Sequence, residues 1–330
     1  MAAREPGLQS AAGEVVSLRA PAMACEFVIQ FPTSQPDRRF AMEAFEWIER
    51  LEQQLSAYRE TSELSTLNRA AFENPTRVEP GLFRLLKRCR DWWEQSEGAF
   101  DITAGPLIKA WGFFQRQGSV PGEEELSKAR ASMGMEHVRF DEAARTIQFL
   151  RAGIELNLGA VGKGYALDSV AARLRRVGYR ELLLGAGASS VLAVGNPPWD
   201  DYWTVDLRHP NDRSRPIALV QLKDAALSTS GTSEQSFEHG GRRYGHVLDP
   251  RTGWPVSGML QATVLANDAA EAEALSTAFF VNGPAWAEEY CRRHKDVGAL
   301  LIPEGPPGRD LPMIVLGQMH EAAVFPEASP

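Results

Sequence analysis

Apolar residues recur along this chain with two different periods, and segments of the two kinds follow one another without a fixed order. Cys25, Phe27 and Ile29 occupy every second position, which is typical of a half-buried strand. The apolar stripe of residues 41–55 has helical spacing instead, and Asp37 is placed to cap that helix, which should run to about Tyr58. Because no strict strand–helix–strand repeat connects such segments, the sequence predicts an α+β fold rather than a doubly wound sheet.

The composition limits the class of protein. Of the 330 residues, 44% are hydrophobic, which is enough for one large domain or for two intimately packed subdomains. A formal net charge of −8 argues against nucleic acid as the main partner, because phosphate backbones require a basic surface. The three cysteines are scattered, so they predict neither a disulfide framework nor a zinc site.

The N-terminal segment does not have the pattern of a signal peptide. The first ten residues lack the apolar run of a signal peptide, and no stretch reaches the roughly 20 apolar residues that span a bilayer. We therefore expect a cytoplasmic protein without a membrane span. Residues 1–13 are predicted to be a loose N-terminal tail, residues 14–317 the folded domain, and residues 318–330 a C-terminal tail.

The densest group of reactive side chains lies between residues 243 and 253. His246 and Asp249 are three positions apart, and an Asp-Pro-Arg-Thr-Gly turn follows up to Gly253. Pro250 fixes its own φ and Gly253 tolerates a left-handed φ, so the loop should be stiff. We predict that His246 acts as a general acid or base or contacts phosphate, with Asp249 orienting it.

A glycine-rich turn at residues 159–164 leads directly into a predicted helix. Backbone amides at a helix start can bind an anion, and Lys163 adds a cation there. The spacing is that of neither a P-loop nor a G-x-G-x-x-G dinucleotide turn. An ordinary strand-to-helix turn with a solvated lysine therefore explains the pattern as well.

Oxygen-bearing side chains supply two further candidates. Thr229 and Ser230 lie in a Ser-Thr-Ser-Gly run that could bind phosphate or ribose oxygens, or could instead cap a helix. Glu273 and Thr277 are four residues apart on a predicted helix, so they share a face that suits Mg²⁺. The alternative is a solvated glutamate beside a threonine that bonds back to its own helix.

An aromatic ring and a carboxylate follow the second predicted helix, at Phe100 and Asp101. The ring could stack on a flat ligand while the carboxylate holds a polar edge of that ligand. The alternative is core packing together with a turn cap.

Six motifs stand in a specific order along the chain. They are S-A-Y with S-E-L-S-T-L-N at 56–68, G-A-F-D-I-T with W-G-F at 98–113, G-K-G-Y-A-L-D at 162–168, T-S-G at 229–231, the loop 246–253, and A-L-S-T at 274–277. This order resembles the ApbE family, the flavin transferases that move FMN from FAD onto a protein. The resemblance extends from about residue 23 to about residue 283.

The resemblance implies one domain of mixed helices and mostly antiparallel sheets, and a Mg²⁺-dependent reaction. FAD would be cleaved at its pyrophosphate, the FMN phosphate would be joined to a Thr or Ser hydroxyl of an acceptor protein, and AMP would leave. The residues implied for the FAD site are Met23, Tyr58, Ala99, Phe100, Asp101, Asn157, Lys163 and Val247. Those implied for the metal are the carbonyl of Ala160 and the side chains of Glu273, Ser276 and Thr277, with His246 beside the phosphates.

The chain departs from the family pattern at several of these positions. Ala24 follows Met23 where glycine is usual, Ser189 stands where Asp is frequent, and Asn157 replaces a common acidic residue. Glu273 replaces the metal-ligand Asp and is one methylene longer, which could weaken or move a Mg²⁺ ion that demands octahedral geometry. Two alternatives to a transferase therefore stay open: an FAD pyrophosphatase that yields FMN and AMP, and an FAD-binding protein that has lost catalysis.

Overall fold

Short strands and helices alternate without a regular order in the computed structural model, which describes residues 15–34, 39–232, 235–306 and 311–326. The strands are β1 (Val15–Ala22), β2 (Cys25–Pro32), β3 (Thr76–Arg77), β4 (Val138–Asp141), β5 (Thr146–Phe149), β6 (Leu182–Ala186), β7 (Ser190–Val194), β8 (Trp203–His209), β9 (Asp212–Leu222), β10 (Ala226–Gly231), β11 (Ser236–His239), β12 (Arg242–Gly245), β13 (Met259–Ala266), β14 (Gly298–Pro303), β15 (Ile314–Gly317) and β16 (Ala323–Val324). The helices are α1 (Arg39–Leu55), α2 (Glu63–Ala70), α3 (Pro80–Gln95), α4 (Gly105–Ala110), α5 (Glu123–Ala131), α6 (Gly162–Arg176), α7 (Ala269–Asn282), α8 (Pro284–Arg293) and α9 (Met319–Ala322). Asp37 and the expected tail at 1–13 lie outside the described residues.

An eight-stranded sheet carries the core, in the order β1-β2-β6-β7-β10-β13-β14-β15. Every neighbouring pair in it is antiparallel. Successive side chains of its central strands enter different apolar clusters, since Leu182 and Leu184 pack in one while Leu183 packs in the other. Burial on both faces explains the continuous apolar runs, and the α+β prediction with mostly antiparallel sheets is confirmed.

Helices α6 and α7 pack together on one face of this sheet. Helix α7 is buried over most of its length, from Ala269 to Phe280. The two helices approach closely at Gly164, where a Cβ atom would lie 2.2 Å from the carbonyl oxygen of Ala269. A glycine is therefore required at this contact, and it brings the start of α6 against the first turn of α7.

A three-stranded sheet, in the order β16-β9-β8, packs on the other face of the large sheet. Ala323 and Val324 of β16 pair with Val220 and Leu219 of β9, and Met319 is fully buried. The segment predicted as a C-terminal tail thus belongs to the fold as far as Val324.

Two segments differ from their predicted structures. Residues 228–231 form the end of β10, so the alternative that they cap a helix is wrong. Residues 242–245, expected to be part of a loop, pair with β11 in a hairpin that precedes His246. Within the part of the chain that the structure describes, no helix combines the length and apolarity needed to cross a membrane.

Candidate functional site

The carboxylate of Glu273 lies where α6, α7 and β7 meet. Its Oε2 accepts a hydrogen bond from the amide of Gly164 at 2.8 Å, and its Oε1 accepts one from the hydroxyl of Ser190 at 2.5 Å. The amide belongs to the first turn of α6, where no intrahelical acceptor exists. Glu273 is only 4% exposed, so the alternative of a solvated glutamate is wrong.

Lys163 points toward this carboxylate. Its Nζ donates to the hydroxyl of Ser189 at 2.6 Å and lies 3.8 Å from Oε1 of Glu273. The side chain of Lys163 is 23% exposed, so the lysine is partly withdrawn from solvent. A positive charge and a buried negative charge therefore lie together at the start of α6, and of the two only Lys163 and the helix-start amides would attract a phosphate.

Three hydroxyl groups form a cluster beside Glu273. The Oγ of Ser230, at the end of β10, lies 2.9 Å from Oγ of Ser276 and 3.3 Å from Oγ1 of Thr277. Ser276 and Thr277 each donate back to the main-chain carbonyl of Glu273, so the expected back-bonding does occur. Thr229 points to the opposite face of the strand, where its hydroxyl lies 2.9 Å from that of Thr263.

The donor set suits a hard cation. Glu273, Ser276 and Thr277 offer carboxylate and hydroxyl oxygens of the kind that Mg²⁺ prefers, and Ala160, whose carbonyl is a further candidate, lies in the turn before α6. A carboxylate oxygen that accepts a hydrogen bond can also coordinate a cation, because it carries more than one lone pair. Among the described residues no group of three or more His, Cys, Asp or Glu side chains could hold a metal ion.

Two residues predicted for a flavin site lie at turns on the surface. Met23 and Ala24 form the turn between β1 and β2 with φ of 48° and 59°, and the amide of Met23 donates to Oε2 of Glu52 at 2.8 Å. Tyr58 is 60% exposed and stacks on Phe114 with ring centroids 4.4 Å apart. The stacked partner covers one face of the tyrosine ring and holds it in a fixed orientation.

The prediction that the Phe100 ring stacks on a flat ligand is wrong in this structure. Ala99 and Phe100 are each only 1% exposed, and the ring of Phe100 packs edge-on against Trp92. The alternative of core packing is therefore the one observed. Asp101 accepts hydrogen bonds from the amide and hydroxyl of Thr103, and its burial raises the pKa of this carboxyl to about 6.

Asn157 shapes the turn that precedes α6. Its side-chain Oδ1 accepts a hydrogen bond from the backbone amide of Gly159 at 2.8 Å. The backbone amide of Asn157 donates to the carbonyl of Ile102 at 2.7 Å. The carboxamide thereby holds the turn that carries Ala160. An oxygen acceptor is what this turn needs, and Asn provides it without the negative charge of an acid.

The loop after the hairpin differs from its predicted arrangement. Nδ1 of His246 lies 3.1 Å from the carbonyl oxygen of Gln235, whereas the carboxylate of Asp249 accepts hydrogen bonds from the side chain of Arg251. Asp249 also closes the turn, because its carbonyl accepts from the amide of Gly253 at 2.7 Å. These contacts make Asp249 a turn-forming residue and do not support an orienting role toward His246.

The other contacts of this loop anchor it to the protein. The carbonyl of Gly253 accepts a hydrogen bond from the indole of Trp111, which is fully buried. The carbonyl of Val247 accepts from the amide of Val256, and the side chain of Val247 packs against the main core. Residues 246–253 are therefore fixed at both ends, as the stiff turn predicts.

Two residues that sequence reasoning did not assign to the site lie next to it. Ser190 supplies the short hydrogen bond to Glu273, and Asp168 lies one helical turn beyond Gly164 on α6. Burial and the nearby charge of Asp268 raise the pKa of Asp168 above its usual value. The sequence signals for Asp168 are its place at the end of the G-K-G-Y-A-L-D motif and its spacing of four residues from Gly164, which puts both on one helix face.

These motifs and their geometry agree with one family. A model of the ApbE family matches residues 22–301 of the chain. The chain belongs to the ApbE family. The matched stretch contains all the candidate site residues of this ApbE protein, from Met23 to Thr277.

Curated relatives of this ApbE chain carry a common description. A protein of Klebsiella pneumoniae named FAD:protein FMN transferase is 30% identical over 268 residues, which cover 81% of this chain and 83% of the relative. A Treponema pallidum protein of the same name is 32% identical over 275 residues, covering 79% and 76%. These two alignments cover most of both proteins.

Solved structures of ApbE proteins share the fold. The apbe protein of Thermotoga maritima superposes with a TM-score of 0.85 at 28% identity, covering 94% of this chain and 99% of that one. A structure described as flavin transferase ApbE from Vibrio cholerae gives a TM-score of 0.83 at 26% identity, covering 94% and 99%. The likeness therefore extends over nearly all of both chains.

Proposed function

We propose that this protein transfers FMN from FAD to a Thr or Ser hydroxyl of an acceptor protein, with Mg²⁺ as the metal and AMP as the leaving product. The observation that carries this proposal is the pairing of Lys163 with the buried carboxylate of Glu273 at the start of α6. The curated relatives named FAD:protein FMN transferase support the choice of reaction.

In the proposed reaction the acceptor hydroxyl attacks the FMN phosphorus of FAD. The bond from that phosphorus to the bridging oxygen breaks, and the oxygen leaves with AMP. Such a transfer depends on positioning and on neutralising charge. Lys163, held by Ser189, supplies a fixed positive charge for the phosphate oxygens.

His246 is proposed to accept the proton of the attacking hydroxyl. Its Nδ1 faces the carbonyl of Gln235, and a carbonyl only accepts, so this nitrogen must carry the ring proton. The neutral imidazole then has Nε2 as its basic nitrogen. Asp249, expected as a third catalytic group, supports this role only by holding the 249–253 turn.

The proposed ligand positions are those that the resemblance to the ApbE family implies. Met23, Tyr58, Asp101, Asn157 and Val247 would line the FAD site, with Ala99 and Phe100 contributing through their backbone because their side chains are buried. Ser230 lies by the hydroxyls of Ser276 and Thr277, and Thr229 lies on the other strand face. Glu273, Ser276, Thr277 and the Ala160 carbonyl would hold the metal. When bound, Mg²⁺ would neutralise negative charge on the phosphate oxygens.

The test is to incubate the purified protein with FAD and a candidate acceptor protein, with Mg²⁺ or with a chelator, and to separate AMP, FMN and acceptor by chromatography. We expect Mg²⁺-dependent release of AMP together with covalent flavin on the acceptor. Release of both FMN and AMP into solution, without covalent flavin on any acceptor tested, would identify a pyrophosphatase instead. Bound but uncleaved FAD would identify a binding protein without catalysis.

Matched variants assign the roles. Glu273→Gln retains an oxygen that can accept from Gly164 but removes the negative charge, so it should abolish the Mg²⁺ response. His246→Gln should slow transfer by about 10²–10⁴-fold, the usual contribution of a general base. His239→Gln, on the exposed strand of the same hairpin, is the control and should leave transfer unchanged.

A further inference from the structure

Asp168 binds the start of the helix that carries Glu273. The two oxygens of its carboxylate accept hydrogen bonds from the amides of Ala269 at 2.8 Å and Ala270 at 3.0 Å. These amides are the first two of α7, and they have no acceptor within their own helix. Asp168 itself lies on α6, so the bonds cross from one helix to the other.

A second carboxylate serves the same helix end in a different way. Asp268 is the residue before α7, and its side chain accepts from the amide of Glu271 at 2.9 Å. Its carboxylate also receives two hydrogen bonds from Arg88 of α3, at 2.7 and 3.0 Å. Asp268 therefore caps α7 and ties it to α3, whereas Asp168 ties it to α6.

The contacts between α6 and α7 recur one helical turn apart. Gly164 donates to Glu273, and Asp168, four residues later, accepts from Ala269 and Ala270. The close approach of Gly164 to the carbonyl of Ala269 lies between them. Because α6 and α7 are in contact at these points, the hydrogen bonds of Asp168 help to fix the distance between the two helices. That distance is the one that the Glu273 side chain spans to accept from the Gly164 amide.

We propose that Asp168 is a positioning residue that holds the Glu273 carboxylate against the start of α6, in the geometry that the cation and Lys163 require. The part that concerns the cation rests on the proposed function, and the part that concerns the position of Glu273 does not. Asp268 provides the contrast, because it stabilises the same helix end without a bond to α6.

The position of Glu273 is tested by hydrogen exchange at the Gly164 amide, whose acceptor is that carboxylate. Asp168→Ala should make this amide exchange roughly tenfold faster than in the wild type, after correction for any change in global stability. Asp168→Asn keeps one acceptor oxygen and should give a smaller change. Asp268→Ala, the control, should leave the corrected rate near that of the wild type.

The consequence for the cation is measured by Mn²⁺ titration, by calorimetry in the absence of FAD, and by steady-state FAD cleavage. Asp168→Ala should weaken Mn²⁺ binding by about tenfold, as is usual when a group that supports a metal ligand is removed. The kcat for FAD should fall while its KM changes little, and Asp168→Asn should recover part of both losses. Asp268→Ala should change neither.

Two results would overturn the proposal. Equal effects of Asp168→Ala and Asp268→Ala on Gly164 exchange and on Mn²⁺ affinity would show that both residues act only through helix stability. Unchanged exchange in both Asp168 variants would show that Glu273 does not depend on Asp168. If Asp168→Ala does not fold, Asp168→Asn provides the same comparison. Failure of the wild type to cleave FAD would refute the proposed function, whereas the exchange rates would still decide the role of Asp168.

Discussion

The hydroxyl of Ser190 donates a 2.5 Å hydrogen bond to Oε1 of Glu273 and so joins β7 to α7 inside the protein. Ser190 has no solvent exposure and Glu273 has 4%. A buried carboxylate is stable only when its oxygens have donors, so this serine is part of the reason that a charge can lie in the core.

Ser190→Ala should lower the free energy of unfolding by about 1–3 kcal/mol, because one oxygen of a buried carboxylate loses its donor. Ser189→Ala is the neighbouring control, and it should cost less, since the Lys163 ammonium that it releases is partly exposed. Urea unfolding of the three proteins measures the difference. Equal losses in the two variants would contradict the importance of the Ser190 bond.

Gly164→Ala should separate α6 from α7, because its Cβ would lie 2.2 Å from the carbonyl oxygen of Ala269. We expect a loss of about 1–3 kcal/mol in unfolding free energy, as for other overpacked sites, with weaker FAD cleavage. Gly162→Ala is the matched control, since its nearest neighbour would be Leu158 at 4.0 Å. Thermal unfolding that is the same for both variants would argue against a tight helix contact.

Ala24→Gly should stabilise the protein, because Ala24 has a φ of 59° that an L-residue adopts at a cost of roughly 1–2 kcal/mol. The greater freedom of glycine in the unfolded chain offsets about 0.4–1 kcal/mol of this gain. A net increase of a few tenths to about 1 kcal/mol in urea unfolding is expected. Ala22→Gly, in β1, should destabilise and serves as the control.

Asp101 should make stability depend on pH. Burial raises the pKa of the Asp101 carboxyl from 3.8 to about 6. The hydrogen bonds from Thr103 lower this pKa, and the negative charge of Glu136 raises it, but both effects are smaller than that of burial. Between those pKa values the folded state binds more protons than the unfolded state, so stability falls as pH rises through 6. Asp101→Asn removes this titration. The unfolding free energy of the variant minus that of the wild type should therefore rise by roughly 2 kcal/mol between about pH 4.5 and about pH 7.5. A constant difference across that range, measured by urea unfolding, would refute the shift.

Phe114→Leu should weaken FAD binding if Tyr58 lines the FAD site as proposed. The stacked ring of Phe114 fixes the exposed ring of Tyr58, and an aromatic pair is worth about 0.5–1.5 kcal/mol. We therefore expect a two- to tenfold rise in the Kd for FAD, measured by flavin fluorescence. Phe72→Leu replaces another exposed ring and should leave the Kd unchanged.

Local sequence patterns predicted the elements but not how they pair. The alternation at Phe27 and Ile29 correctly predicted β2 as a strand, but the expected half-burial is wrong, because Val28 and Gln30 on its other face are buried as well. The pairing of β2 with β6 joins residues far apart in the chain, and no local period encodes it. The hairpin strand at 242–245 was missed because its side chains, Arg242 and Arg243 among them, are mostly polar.

The same limit applies to the site. Lys163 and Glu273 were predicted from helix-start chemistry and helix spacing, and the structure brings them to 3.8 Å. The expected pair of His246 and Asp249 did not form, because Arg251 is closer in sequence and competes for the carboxylate with three hydrogen bonds. Asp168 acts across a helix interface, so nothing in its local sequence reveals that contact.

The short strand at Ala323–Val324 has a consequence for the order in which the chain can fold during synthesis. Its partner strand β9 is synthesised much earlier. One edge of β9 therefore stays unpaired until residues 323 and 324 have emerged from the ribosome. An unpaired edge is open to pairing with other chains. During this interval the β9 edge can pair with another chain, and a chaperone that covers this edge would protect the nascent molecule from aggregation.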